Sequence, residues 1–265
     1  MGIEVERHDG GVALVTLSEA AARNAFSRSS IHEISDVLEG LLDDPSCNAI
    51  VLTGTGRFFC TGADIDEFAD SIDDGTIADL VGELTGVLHP LELRLRRSST
   101  VFVAAMNGAA AGGGLGLALC ADYRVCVPEA RLAAAFFSLG LSPDGGSTWL
   151  LPRLVGNQRA RRFFFDNETW TGAQALEFGA VDELASAEDL VGRAIEVAAK
   201  WGAWAQASRQ GTKQLLDASS TTFMETQLEF EKALITAASL TPDFQEGVSA
   251  FLEKRAPAFG RSEEE

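Results

Sequence analysis

The chain has 265 residues, 46% hydrophobic and 23% charged, a globular balance with room for one large domain or two small ones. Its formal net charge of −18 argues against a nucleic acid or an anionic membrane surface as partner, though not against a local basic pocket for an anionic ligand. No apolar run reaches the roughly 18 residues of a membrane span, and the opening MGIEVERHDG lacks the layout of a secretory leader, so a cytoplasmic protein is expected.

In chain order, IEVERHDGGVALVTL alternates apolar and polar residues around Gly-Gly and predicts a β-hairpin. SSIHEISDVLEGLLDD predicts a helix, with Ser30 and Glu33 at capping-box spacing and Ile31, Ile34, Val37, Leu38, Leu41 and Leu42 as its apolar stripe. NAIVLTG reads as a buried strand. A helical region follows from about Asp74 to Arg97. VFVAAMNG is the next strand, then a small-residue loop, a short helix and the strand YRVCVP. This alternation predicts α/β architecture with parallel strands. From about Leu151 the pattern turns helical: TGAQALEFGAVDEL gives a helix stopped at Gly179 and a short strand, and two further helical stretches precede a tail, GRSEEE, expected to fray. The expected division is an α/β core over 1–200 and a helical region over 201–265. Cys47, Cys60, Cys120 and Cys126 form no CxxC pair, so buried reduced thiols are expected and a metal site is not.

Three stretches can carry chemistry. NGAAAGGGLGLALC (107–120) follows a strand and opens a helix. A glycine-rich turn at a helix start aims free N–H groups outward, although glycine there serves close helix–sheet packing equally well. Its spacing fits neither a dinucleotide fingerprint nor a P-loop. RFFCTGADIDEF (57–68) repeats the design: an apolar strand enters Thr61-Gly62-Ala63, and Asp64 reads first as a helix N-cap. Two such turns suit a thioester whose carbonyl becomes an enolate oxyanion. In GLSPDGGSTW (140–149), Asp144 reads either as turn punctuation or as a proton carrier.

These turns, in this order, resemble the crotonase superfamily of enoyl-CoA hydratases and isomerases. ARNAF, LTGTGRFFCTGAD, NGAAAGGG and EGVSAFLEKRAPAF carry the likeness over nearly the whole chain. The resemblance implies a crotonase fold, a spiral of ββα units followed by a C-terminal helical trimerisation region. It implies a homotrimer or a dimer of trimers acting on an acyl-CoA thioester, with no separate cofactor and no metal. The amides of Ala63 and Gly113 would form the oxyanion hole. Arg23, Ala25, Ala63, Asp64, Ile65, Gly113 and Phe136 would contact the substrate or its coenzyme A. Lys254 and Phe259 would reach the ribose phosphate and adenine, often from a neighbouring subunit; Lys254 also suits the carboxyl-end dipole of its helix. Arg159, Arg161 and Arg162 read as a solvated helix start, and Phe163 to Phe165 as core or interface.

The chain departs from the family where hydratases carry two glutamates: it has Gly116 and Phe136 instead. Hydration needs one group to activate water and another to protonate the α-carbon. LGLSPDGGSTWLLPRLVG is similar to the 1,2-epoxyphenylacetyl-CoA isomerase branch, in which an aspartate faces the acyl chain. One carboxylate suffices for a double-bond shift, so the expected enzyme is an enoyl-CoA isomerase with Asp144 as acid/base. Phe136 would desolvate Asp144 and raise its pKa. The alternatives are a hydratase-like activity, a hydrolytic aryl-CoA dehalogenase with Asp144 as nucleophile and His89 activating water, and a non-catalytic acyl-CoA binding subunit. His89, before a proline, reads otherwise as a surface residue at a helix end.

Overall fold

The structure is a computed structural model and describes residues 2–260; the last five residues of the GRSEEE tail lie outside them. The hairpin forms as β1 (Ile3–His8) and β2 (Val12–Leu17), antiparallel. α1 (Arg28–Asp43) follows, then β3 (Ala49–Gly54), β4 (Phe58–Cys60), α2 (Ile65–Asp73) and α3 (Ile77–Arg97). The next unit is β5 (Val101–Met106), β6 (Ala109–Ala111) and α4 (Gly112–Cys120). The one after is β7 (Tyr123–Cys126), β8 (Arg131–Ala133) and α5 (Ser147–Val155). Then come α6 (Asn157–Phe165), β9 (Thr169–Thr171), α7 (Gly172–Phe178) and β10 (Glu183–Leu184). The chain closes with α8 (Leu190–Gly202), α9 (Gln206–Ser219), α10 (Met224–Ala238) and α11 (Pro242–Glu253).

The strands form a six-stranded sheet, β1-β2-β3-β5-β7-β10, and a four-stranded sheet, β4-β6-β8-β9. Each successive pair, β3/β4, β5/β6 and β7/β8, places one strand in each sheet, and both sheets are parallel along these members. This is the repeated ββα unit of the expected crotonase spiral, invisible at the level of residue identity. β5 is apolar throughout, and β3 is apolar but for the buried Thr53, because helices cover them. α8 lies against β2, β3, β5 and β7, and α4 packs among β4, β6, α3 and α5. α4 is apolar on every side, and every residue from Gly113 to Cys120 is buried. No helix among the described residues is long and apolar enough to cross a membrane, and all four cysteines are buried and unpaired.

Three expectations are corrected. α1 starts earlier than its apolar stripe suggests: Ser27 is the N-cap, and the reciprocal pair is Ser27 with Ser30, not Ser30 with Glu33. α3 does not leave His89 at its end: it runs through Pro90 to Arg97, the end expected for this helical region. Its Leu80, Leu84, Leu88, Leu91 and Leu95 stripe is buried on both sides of the proline, which outweighs the hydrogen bond that proline removes. The stretch after Leu151 holds one strand that was not expected, β9, at the edge of the smaller sheet, while β10 is the short strand expected after Gly179.

Arg124 ties β7 to its surroundings from a buried position, donating to the carbonyls of Leu119 and Ala121 and pairing with Asp182 at 2.8 Å. Arg124→Met is expected to lower the unfolding free energy by about 3 kcal/mol, the usual loss on breaking a buried pair. A urea midpoint unchanged from wild type would contradict it.

Candidate active site

β4 runs into Thr61-Gly62-Ala63. Phe26 pairs alongside: its N–H donates to the Gly62 carbonyl at 2.7 Å, and its carbonyl accepts from Asp64 N–H at 3.0 Å. That pattern uses the backbone on either side of Ala63 and leaves the Ala63 N–H pointing away from Phe26. Gly62 makes the approach possible. It has φ +78°, and a Cβ there would lie 2.8 Å from the Ala111 carbonyl oxygen and 3.0 Å from the Gly113 nitrogen. The two turns touch, backbone against backbone. Gly113 stands in the first turn of α4, where an N–H has no acceptor within its own helix. Asp64 caps α2 through Asp66 and Glu67, the role its position predicts.

Asp144 serves a turn with its backbone and sends its side chain elsewhere. Its carbonyl closes a turn, accepting from Ser147 N–H at 3.1 Å and from Ser147 Oγ at 2.7 Å. Its side chain turns inward: Oδ1 is buried and has no hydrogen-bond partner among the described residues. Burial pushes its carboxyl above the ordinary range, with nearby His89 pulling the other way. Asp144 lines a cavity of about 490 Å³ together with Ala63, Gly113, Phe136, Arg23 and Ile65. Phe136 is buried there, as its expected desolvating role requires.

Position 116 explains a missing glutamate. A Cβ built on Gly116 would overlap the carbonyl oxygen of Gly145, so the Asp144 loop occupies the space any side chain at 116 would need. His89 is exposed but not at a helix end. Its Nε2 accepts from the Gly145 N–H at 3.4 Å, beside Asp144.

Sequence reasoning missed Glu92. This residue of α3 is 7% exposed, and its Oε1 is buried without a partner. Burial first, and then the Asp144 charge, push its carboxyl up to about 8. It lines a second cavity of about 830 Å³, whose wall includes His89, Trp149 and Phe230, and Asp144 borders both cavities. The available signal was spacing: Glu92 stands four residues after Leu88 and three before Leu95, on the apolar stripe.

The remaining expected contacts lie elsewhere in this single chain. Ala25 is buried one residue before Phe26, and Asp64 is turned to its helix; neither lines the cavity. Lys254 caps the carboxyl end of α11 in a left-handed conformation. Phe259 stacks on Trp204, with ring centroids 6.5 Å apart. Phe163 and Phe164 are core, and Phe165 is exposed.

Residues 7–262 match the family described as enoyl-CoA hydratase/isomerase. The chain is 34% identical over 248 residues to 2,3-dehydroadipyl-CoA hydratase of Escherichia coli (strain K12), covering 94% of each chain. It is 33% identical over 250 residues to 1,2-epoxyphenylacetyl-CoA isomerase of the same strain, covering 94% of this chain and 95% of that one. Its fold superposes on the crystal structure of an enoyl-CoA hydratase from Bacillus anthracis with a TM-score of 0.90 at 27% identity, covering 98% and 99% of the two chains.

Two expectations follow. Gly116→Ala should cost about 1–3 kcal/mol, the range for forcing a methyl into a packed interior, and should lower the calorimetric midpoint; an unshifted midpoint would show that the loop yields freely. Between the ordinary value of 4.5 and about 8, the folded chain keeps a Glu92 proton that the unfolded chain releases, so stability falls as pH rises through that window. Urea midpoints should decline more steeply across it in the wild type than in Glu92→Gln.

Proposed function

The chain belongs to the enoyl-CoA hydratase/isomerase family, and we propose that within it this enzyme shifts a carbon–carbon double bond in an enoyl-CoA thioester. The thioester oxygen accepts from the Ala63 and Gly113 N–H groups. The Asp144 carboxylate takes a proton from the α- or γ-carbon, and the electrons of the broken C–H bond flow onto the oxygen as a dienolate. Asp144 then returns the proton to the other carbon. One such N–H donor is worth about 2.7–4 kcal/mol of transition-state stabilisation in other enzymes.

The observation that carries this reading is the buried, unpartnered Oδ1 of Asp144 on the wall of the cavity that Ala63 and Gly113 also line. An aspartate serving only the turn would turn its carboxylate to water. Addition of water asks for two groups acting in one chamber, and the hydratase positions hold Gly116 and Phe136. Arg23, exposed at the cavity, is the proposed contact for the coenzyme A pyrophosphate. Phe223, Met224, Ile235, Phe251 and Leu252 expose large apolar side chains on and beside α10 and α11, which supports an assembly of identical subunits. In a trimer, Lys254 and Phe259 would act on a neighbour's coenzyme A.

His89 beside the Asp144 loop supports a second reading: Asp144 attacks an aryl carbon and displaces its halogen as halide, and His89 takes a proton from the water that then attacks the carboxyl carbon of the resulting ester, releasing the hydroxylated ring and regenerating Asp144. Turnover in ¹⁸O-water separates the two, because only that route leaves the label in Asp144.

Asp144→Asn is expected to lower turnover of a 3-enoyl-CoA by about 10²–10⁴-fold, followed through the absorbance of the conjugated product, while acyl-CoA binding by calorimetry persists. Full turnover in folded Asp144→Asn would end the reading. Because the base must be ionised, the wild-type rate should rise with pH through a value above the ordinary aspartate range.

A further inference from the structure

Two carboxyl side chains with no salt-bridge partner among the described residues meet behind the cavity that Ala63 and Gly113 line. Glu92 and Asp144 line the same second chamber, and each has one buried oxygen with no partner among the described residues. A Cβ at Gly145 would lie 3.4 Å from Glu92 Oε1, so the acid rests directly against the residue that follows Asp144.

Of the other titratable groups on that chamber, none forms a salt bridge with either carboxyl, and His89 alone pulls on Asp144. On α3, Arg96 is committed to Asp217 of α9 and to the Cys120 carbonyl. Arg97 is exposed at the end of the helix, and His89, which pulls against the burial of Asp144, is exposed, with its Nε2 accepting the Gly145 N–H. On α4, burial pushes the Cys120 thiol well up, so it stays neutral. Two buried carboxyls so placed cannot both ionise near neutrality; the pair holds one proton. Glu92 is the more deeply buried of the two, while Asp144 also borders the donor cavity.

We propose that Glu92 is a positioning residue for Asp144: it holds the single proton of the pair, so that Asp144 carries the pair's one negative charge when it takes a proton from substrate. The proposal rests on Asp144 being the base. The Glu92 proton is not consumed; the transferred proton moves from carbon to Asp144 and back to carbon. Its presence matters because the reaction builds negative charge on the thioester oxygen. A second buried carboxylate beside that charge raises the barrier. The direction of the Glu92 shift agrees, with burial as its larger cause and the Asp144 charge as the smaller.

Infrared difference spectra of the whole protein across pH read the pair directly, through the C=O stretch of a protonated carboxyl. The expected band disappears with a midpoint near 8 in wild type and is absent from Glu92→Gln. In Asp144→Asn, which removes the neighbouring charge, the midpoint moves to lower pH. That comparison leaves Glu92 intact, so the pair is tested even if Glu92→Gln does not fold. Wild-type turnover should fall about tenfold per pH unit on the alkaline side. Glu92→Gln, scaled to its own neutral rate, should stay flat there. A missing band, a band that survives in Glu92→Gln, or an alkaline limb that Glu92→Gln leaves in place overturns the proposal. Full turnover in Asp144→Asn removes the base reading and this proposal with it, whereas failure of the band alone removes only this proposal.

Discussion

The carbonyl oxygen of Gly145 sits where any side chain at position 116 would have to be, and the site is organised around that contact. With no Cβ at 116, the loop carrying Asp144 descends onto the second turn of α4. With it comes the carboxylate, set against a cavity wall that includes the first turn of the same helix. Backbone packed on backbone leaves little freedom, because neither partner has rotamers to exchange. The Ala63 turn is fixed to the same helix start through Gly62. Two separate loops are thus placed by close approach to one short helix, buried from Gly113 to Cys120.

Electrostatics complete the arrangement. The chain carries a net charge of −18, yet its candidate base is an anion in a half-closed cavity. A carboxylate there is costly unless protonated or paired. The nearby Arg96 is held by Asp217, so it adds little to the neutralisation of Asp144. Burial therefore acts on Asp144 with little opposition other than His89, and the carboxyl moves toward the more basic range that proton abstraction from carbon needs.

Much of the fold was legible because long elements carry their period. The hairpin, β3, β5 and the helices at both ends of the chain follow their apolar spacing. The smaller sheet was not legible beyond β4: β6, β8 and β9 have three residues each, too few to show any alternation. The site divides in the same way. Ala63, Gly113 and Asp144 stand on local turn motifs, which a sequence displays. Glu92 stands on a helix face whose burial depends on what α4 and α9 bring against it. Its position at the spacing of the leucines was the sole trace. Lys254 and Phe259 have no place in the cavity of one chain, since any role they have there belongs to an assembly of several.

Placing a carboxylate on this loop rather than on helix α4 changes more than its address. A glutamate at position 116 would project from the helix that also carries Gly113, so the two would move together. Asp144 instead hangs from a segment ending in Gly145-Gly146, held on one side by the Ser147 bonds and on the other by contact with α4. The loop can reach the cavity from a different side while the Ala63 and Gly113 turns stay fixed. Under the proposed reading, that is the geometric freedom by which one scaffold hosts different chemistry on one thioester: the backbone of two turns would hold the oxygen, and the carbon acted on would be chosen by where a single loop presents its carboxylate.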